Sequence, residues 1–272
     1  MKLPRASGGR VVVVTGAGSG LGRALAMRFA AAGDRIAALD VDEAAVVALR
    51  EELGGASAEC LALRCDVTDP AACRRAIAAT VERFGALDVL VNNAGISHRS
   101  PFAATHPDVI RRVMDVNFHG AVHCTHAALP QLVASRGLVV AISSVAGYTP
   151  LVARTGYAAS KHALHGFFDS LRSEVEPQGV GVSIVCPSFV ATGIDRSALG
   201  GDGGPLASAK ITVGRPLAPA EAAERIYAGL ARRERLVLVG RTARQAWWLS
   251  RVAPRLYDLV MRRRLAGEVE RP

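Results

Sequence analysis

Tyr157 and Lys161 stand four residues apart in Tyr157-Ala158-Ala159-Ser160-Lys161, a spacing that puts both side chains on one face of a helix. Such a pair can move protons. A phenol with its ordinary pKa near ~10 is a poor base at neutral pH, and a neighbouring ammonium favours its ionised form. Ser143-Ser144 end a predicted strand, and Ser144 lies thirteen residues before Tyr157. A bare Tyr-x-x-x-Lys turns up by chance in many helices, so its weight depends on what surrounds it.

A second group of residues suits an anion. Thr15-Gly16-Ala17-Gly18-Ser19-Gly20-Leu21-Gly22 follows four valines and opens a helical stretch. There the backbone must turn sharply and approach a pyrophosphate, whose charge the helix N-terminus and its free N–H groups stabilise. The glycines do not fit G-x-G-x-x-G, since Leu21 falls where the last one belongs; they fit the wider G-x-x-x-G-x-G. Asp40 closes the next strand, 18 residues after Gly22. A carboxylate there can accept from both ribose hydroxyls of an adenosine and repels a 2′-phosphate. Ser19 stands where an arginine could have met that phosphate. Both positions favour NAD over NADP.

The elements that must hold these groups alternate along the chain. Arg10 to Thr15, Arg35 to Asp40, Cys60 to Cys65, Leu87 to Val91, Leu138 to Ser143, Val180 to Cys186 and Arg235 to Val239 read as strands. Leu21 to Ala32, Asp42 to Leu53, Pro70 to Phe84, Pro107 to Ala134 and Gly156 to Glu176 read as helices. Seven strands interleaved with helices imply right-handed crossovers and an α/β fold with a parallel sheet covered on both faces. The long irregular stretch from Ala191 to Pro219 holds Gly200, Gly201, Gly203 and Gly204. It follows a strand's C-terminal end, where such sheets bind ligands, and is expected to be a mobile substrate lid.

Composition agrees. Half of the 272 residues are hydrophobic and only 5% aromatic, which suits alanine-rich helices packed closely on a Val/Ile/Leu sheet. The five cysteines show no metal-binding or redox spacing and read as reduced core residues, consistent with a cytoplasmic protein. No signal peptide and no spanning segment is expected. Of the net charge of +9, the stretch from Arg232 to Arg271 carries +7, with eleven arginines against four acids. A basic charge confined to one end argues against a nucleic-acid-binding domain.

Taken together, the glycine loop, Asp40, Asn92-Asn93-Ala94-Gly95, Asn117, Ser144, Tyr157 and Lys161 follow one another in an order and at spacings that resemble the short-chain dehydrogenase/reductase superfamily, from about Arg10 to Val239. The resemblance implies a Rossmann-like doubly wound parallel sheet and an NAD-dependent oxidoreductase that interconverts a secondary alcohol and a ketone. It implies that Ser144 hydrogen-bonds the substrate oxygen and that Tyr157 transfers the proton. Lys161 would lower the tyrosine pKa and hold the nicotinamide ribose, and Asn117 would anchor a water linking Lys161 to solvent. Cofactor contacts are implied for Gly16, Ser19, Gly20, Leu21 and Gly22, for Asp66 and Val67 at the adenine, and for Asn93, Ala94 and Gly95 along its ribose. Pro187, Val190 and Thr192 resemble the family's carboxamide loop, in which Ser188 replaces the usual glycine. A homodimer or homotetramer is expected.

Other readings carry less. Ketoacyl reduction on a carrier protein suits the basic surface but fits poorly with Asp40 and the arginine-rich end. A non-catalytic NAD(H)-binding protein has no use for an intact Ser144, Tyr157 and Lys161. His119, His123 and His126 share a helical face as zinc ligands might, yet the helix belongs to the fold's packed layer, and no metal is expected. His162 and His165 flank Lys161 without a chemical role. The substrate pocket is expected from Ile96 to Phe102, Val145 to Thr155, Ser188 to Val190 and the lid, with Arg99, Arg154 and Tyr148 as polar contacts and an apolar alcohol or ketone as ligand.

The chain thus divides into residues 1–240, the cofactor-binding and catalytic domain with its lid at about 191–219, and a basic, amphipathic helical extension over 241–272. In the extension, Ala246 to Leu249 and Leu256 to Met261 form apolar stripes, with Pro254 able to start a second helix. The stripes are expected to pack on the protein's own body or on a second subunit. Peripheral contact with a membrane is the alternative.

Overall fold

The computed structural model describes residues 9–54, 59–195, 198–206 and 216–269; parts of the expected lid and the last residues of the extension lie outside these. The seven strands are β1 (Val11–Thr15), β2 (Arg35–Asp40), β3 (Cys60–Arg64), β4 (Val89–Asn92), β5 (Leu138–Ile142), β6 (Gly181–Pro187) and β7 (Leu236–Val239). They form one parallel sheet in the order β3-β2-β1-β4-β5-β6-β7. All five residues of β1 are buried, and the period of two splits them. Val11 and Val13 enter one core with α3 (Pro70–Phe84), α5 (Gly120–Ser135) and α6 (Thr155–Val175); Val12 and Val14 enter the other with α1 (Gly20–Ala30), α2 (Glu43–Glu52) and α7 (Pro219–Ala231). A strand buried on both faces must be apolar throughout, which is why β1 reads as an unbroken run of valines. The chain leaves β1 toward β2 and β3, then returns across the sheet to β4. The crevice above the C-terminal ends of β1 and β4 is therefore the switch point at which such sheets take their ligands.

The structure differs from the sequence expectation in three elements. Pro107 to Ala134 is not one helix: α4 (Pro107–Met114) meets α5 through a π-helical turn at Asp115–His119. The turn has two local causes. Asn117 is tied by its side chain to the Ile96 peptide, and a Cβ at Gly120 would come within 2.6 Å of Val67 Cγ2. The helix α7, for which no element is expected above, begins with Pro219 at its first turn and buries Ala222, Ala223, Ile226 and Leu230. It packs on α1 through the Phe29–Tyr227 edge contact and the Arg28–Glu224 ion pair.

The glycines of the expected lid also lie elsewhere. Gly201 O accepts from His106 N, Arg99 N donates to Leu199 O, and a Cβ at Gly201 would meet Ala104 O at 2.0 Å. Gly200 to Gly204 are thus pressed on the loop after β4 and do not reach the cavity described below; Gly193 and Ile194 do. The two ends of the excursion lie side by side, with Leu217 N donating to Phe189 O and Ala191 N to Leu217 O.

The extension forms α8 (Arg241–Val252) and α9 (Pro254–Val269). It packs on the body through Ala243, Ala246 and Tyr257. No helix among the described residues is long and apolar enough to cross a membrane.

Candidate active site

One cavity of about 2100 Å³ spans the switch point, well above the roughly 300–1,000 Å³ of a single-ligand pocket. It has room for a dinucleotide and a second molecule. Sixteen of the eighteen expected site residues line it; Gly22 and Asn117 stand behind its wall.

At the phosphate end the loop is held by its own backbone demands. Gly16 and Gly20 have φ of 65° and 53°, the left-handed region that favours glycine. A Cβ on Gly22 would fall 2.1 Å from Gly16 O and 2.4 Å from Asn93 Nδ2, so Gly22 lets the loop close on itself. Asn93 Nδ2 donates to Thr15 O and Gly16 O at 2.9 and 3.1 Å, and Thr15 Oγ1 accepts from Asn93 N and Ala94 N. These bonds join the loops after β1 and β4 into one cradle. Ser19 at the N-cap of α1 makes no side-chain cap bond, so the first-turn N–H groups face the cavity unclaimed by it.

Asp40 is oriented by Gly18 N–H at 2.9 Å and Asp42 N–H at 3.1 Å, one on each carboxylate oxygen. Each oxygen keeps acceptor capacity toward the cavity. Asp66 is fixed by Thr68 N and Thr68 Oγ1, and Val67 O accepts from His123 Nδ1 at 3.0 Å. His119 and His123 reach the cavity wall, and no group of metal-ligating side chains occurs among the described residues.

At the other end β5 delivers Ser144 and α6 delivers Tyr157 and Lys161. Ser144 Oγ accepts from Ala146 N at 3.2 Å, which leaves its hydroxyl proton for another acceptor. Lys161 is almost wholly buried on the cavity wall, and its Nζ donates to Ile142 O at 2.9 Å and lies 5.7 Å from the centre of the Tyr157 ring. Burial pulls its pKa down to about 8, with Cys186 acting the other way. At pH 7 it is still an ammonium for most of the time. Gly95 is the residue that admits this packing: a Cβ there would meet Asn117 Oδ1 at 3.1 Å and Lys161 Nζ at 3.6 Å.

Asn117 itself spends its side chain on structure. Oδ1 accepts from Ile96 N at 2.8 Å, while Nδ2 donates to Ile96 O and Ser160 Oγ. It clamps α6 to the loop after β4, and both amide protons are used. Any water it anchors must be bound by its other acceptors.

The family model for short chain dehydrogenases matches residues 10–200. The chain is a short-chain dehydrogenase/reductase. The Bos taurus dehydrogenase/reductase SDR family member 7B is 38% identical over 266 residues, which cover 95% of this chain and 82% of the relative. An Anopheles gambiae SDR family protein 7-like is 37% identical over 265 residues, covering 94% and 83%. Among solved structures, a short chain dehydrogenase/reductase from Burkholderia phymatum in complex with NAD superposes with a TM-score of 0.81 at 27% identity, over 91% of this chain and 95% of that one.

In this short-chain dehydrogenase/reductase, several expected substrate contacts have other partners. Tyr148 donates its hydroxyl to Ala243 O at 2.7 Å and packs edge-on against Trp247, so it anchors α8 and stays off the cavity wall. Arg99 is also off that wall, while Arg154, almost wholly buried, is on it; His162, for which no role is expected, is off it too. Ser188 needs no left-handed backbone. Its N–H donates to Val239 O, and Gly240 leaves room for its hydroxyl, since a Cβ there would lie 2.5 Å from Ser188 Oγ. The wall that sequence reasoning missed comes from α8 and α9, including Gln245, Trp248, Leu249, Val252 and Val260. Its signal was the apolar stripe, which gave a packed face but not what it faced.

Two histidines, the buried His98 and the half-buried His165, support the catalytic helix. His98 Nε2 accepts from Gly156 N at 2.9 Å and so caps the first turn of α6; His165 Nε2 lies 3.1 Å from Ser143 Oγ. Burial lowers both to about 4, with Arg154 adding to the effect at His98. A folded pKa below the unfolded ~6.5 means stability that is complete above pH 6.5 and is lost as pH falls toward 4, worth about 3 kcal/mol for the fully buried His98 and less for the half-buried His165, which solvent screens. The melting temperature should therefore drop across that window. His98→Asn should lower it at pH 7 and flatten the acid limb; an unchanged limb would remove His98 from this account.

Proposed function

We propose that this oxidoreductase prefers NAD and interconverts a secondary alcohol with its ketone, with Tyr157 as general acid and base. The observation that carries the reading is the convergence of Ser144, Tyr157 and Lys161 on the same cavity as the glycine cradle and Asp40. The cradle fits a dinucleotide: Gly16, Gly20 and Gly22 leave a bare backbone at the N-terminus of α1 where a pyrophosphate belongs. Asp40 would hold the adenosine ribose, Asp66 and Val67 would flank the adenine, and Lys161 would reach the second ribose. Pro187, Val190 and Thr192 would meet the carboxamide. When bound, the nicotinamide supplies or accepts the hydride.

The chain's own groups do the rest. Ser144 donates to the substrate oxygen and fixes it beside Tyr157. In reduction Tyr157 gives that oxygen its phenolic proton; in oxidation the phenolate takes the proton from the alcohol. The Lys161 ammonium stabilises the phenolate in both directions. The substrate end is mostly apolar, with Leu151, Phe189, Leu249 and Val252 on its wall and Arg154 as a cation within it, which suits an apolar alcohol or ketone.

Two measurements test this. A panel of secondary alcohols with NAD, followed by NADH absorbance, should find turnover for apolar members. Cofactor titration should show NAD bound at least ~10-fold more tightly than NADP, and Asp40→Ala should narrow or reverse the ratio, since a lost pair of hydrogen bonds to a charged acceptor is worth roughly 1.5–3 kcal/mol each. Equal binding of NADP by the parent would sink the role of Asp40.

A further inference from the structure

Six large apolar side chains stand exposed among the described residues, and four of them, Trp248, Val252, Leu256 and Leu259, fall within one stretch of the extension. Single exposed apolar residues are ordinary; a cluster marks an interaction surface. Trp248 and Val252 are spaced i, i+4 on α8, and Leu256 and Leu259 i, i+3 on α9, so each helix shows a short apolar stripe. The opposite faces are occupied. Ala243, Ala246 and Tyr257 are buried, Tyr148 holds Ala243 O, and Arg251 lies over the Trp247 ring at 3.0 Å. The helices are thus fixed to the body and present the stripes outward.

The charge around the stripes selects the occupant. Between Arg241 and Arg263 there are six arginines and one acid, Asp258, and Arg244, Arg251, Arg255 and Arg263 are exposed. A second copy docked here about a two-fold axis would set this cationic field against itself. An anionic lipid surface meets it with opposite charge, and an exposed tryptophan ring suits the headgroup level. We propose that α8 and α9 dock the protein on the surface of an anionic bilayer. Trp248 and Val252 also belong to the cavity wall, so docking sets the rim of the pocket against lipid and gives an apolar ligand a path that avoids water. The docking itself does not depend on which reaction the cavity carries out.

The test uses the intact chain with vesicles of phosphatidylcholine alone or mixed with phosphatidylglycerol. Sedimentation should carry the protein down with the mixed vesicles only, at low salt, and high salt should release it. Trp247 and Trp248 are the only tryptophans, so a blue shift of emission on binding reports insertion of the exposed ring. Leu256→Glu with Leu259→Glu changes exposed residues that are not part of the cavity wall; it should keep the parent's melting temperature and weaken vesicle binding at least tenfold. If that variant does not fold, Arg255→Glu with Arg263→Glu should give the same loss. No sedimentation with the mixed vesicles overturns the proposal, as does equal binding by the variants. So does a parent oligomer, seen by analytical ultracentrifugation, that the variants dissociate while neither protein binds lipid.

Discussion

Tyr157→Phe should leave a folded protein that binds NADH within a few-fold of the parent and turns over at least ~10²-fold more slowly, the lower end of what a positioned acid or base contributes. The substitution removes one oxygen and keeps the ring. Lys161 Nζ, 5.7 Å from the ring centre, loses no cation–π partner, and the glycine cradle and Asp40 lie at the other end of the cavity. Binding and chemistry should therefore separate, with kcat falling and the cofactor Kd holding. Ser144→Ala removes the donor that orients the substrate oxygen but leaves Tyr157 to transfer the proton, so it should slow turnover by less. Turnover within a few-fold of the parent in Tyr157→Phe would show that another group supplies the proton, and Ser144 is then the first to examine.

Much of this arrangement is written locally in the sequence. Strands buried on both faces leave unbroken Val/Ile/Leu runs, a close turn at a helix N-terminus leaves glycines, and a proton relay on one helix leaves Tyr157 and Lys161 at i, i+4. What the local pattern does not contain is the partner of a side chain. The π-helical turn at Asp115–His119 follows from Asn117 reaching the Ile96 peptide, a contact made across 21 residues of chain. Tyr148 read as a polar contact for substrate because it lies in the segment from Val145 to Thr155 expected to line the pocket; its hydroxyl instead meets Ala243, 95 residues away. The glycines from Gly200 to Gly204 read as part of a lid because the long irregular stretch that holds them follows a strand's C-terminal end, where such sheets bind ligands. Here Gly201 serves close approach, with the Ala104 carbonyl where a Cβ would be. The same residue type has two physical uses, and only the neighbour decides between them.

Lys161→Met should abolish turnover while changing the pH dependence of stability in a defined way. The folded pKa of Lys161 is pulled down to about 8 by burial, against an unfolded value near ~10.4. The fold thus disfavours the ammonium. A depressed folded pKa contributes stability that is present above the unfolded value and lost as pH falls through the folded one, so the parent should gain on the Met variant by about 3 kcal/mol between pH 7 and pH 10.5. At pH 7 the parent carries that penalty. Methionine avoids it but leaves Ile142 O without its bond from Nζ, a loss of about 1–3 kcal/mol, so the two proteins should melt at similar temperatures there and diverge as pH rises. Turnover should fall at least ~10²-fold, because the phenolate of Tyr157 loses the charge that stabilises it. Cofactor affinity should fall with it, which separates this variant from Tyr157→Phe. Parallel melting curves for parent and variant from pH 7 to 10.5 would mean that Lys161 is not desolvated as the structure has it. A buried ammonium that the fold disfavours at neutral pH is then a functional group held against the preference of its own core.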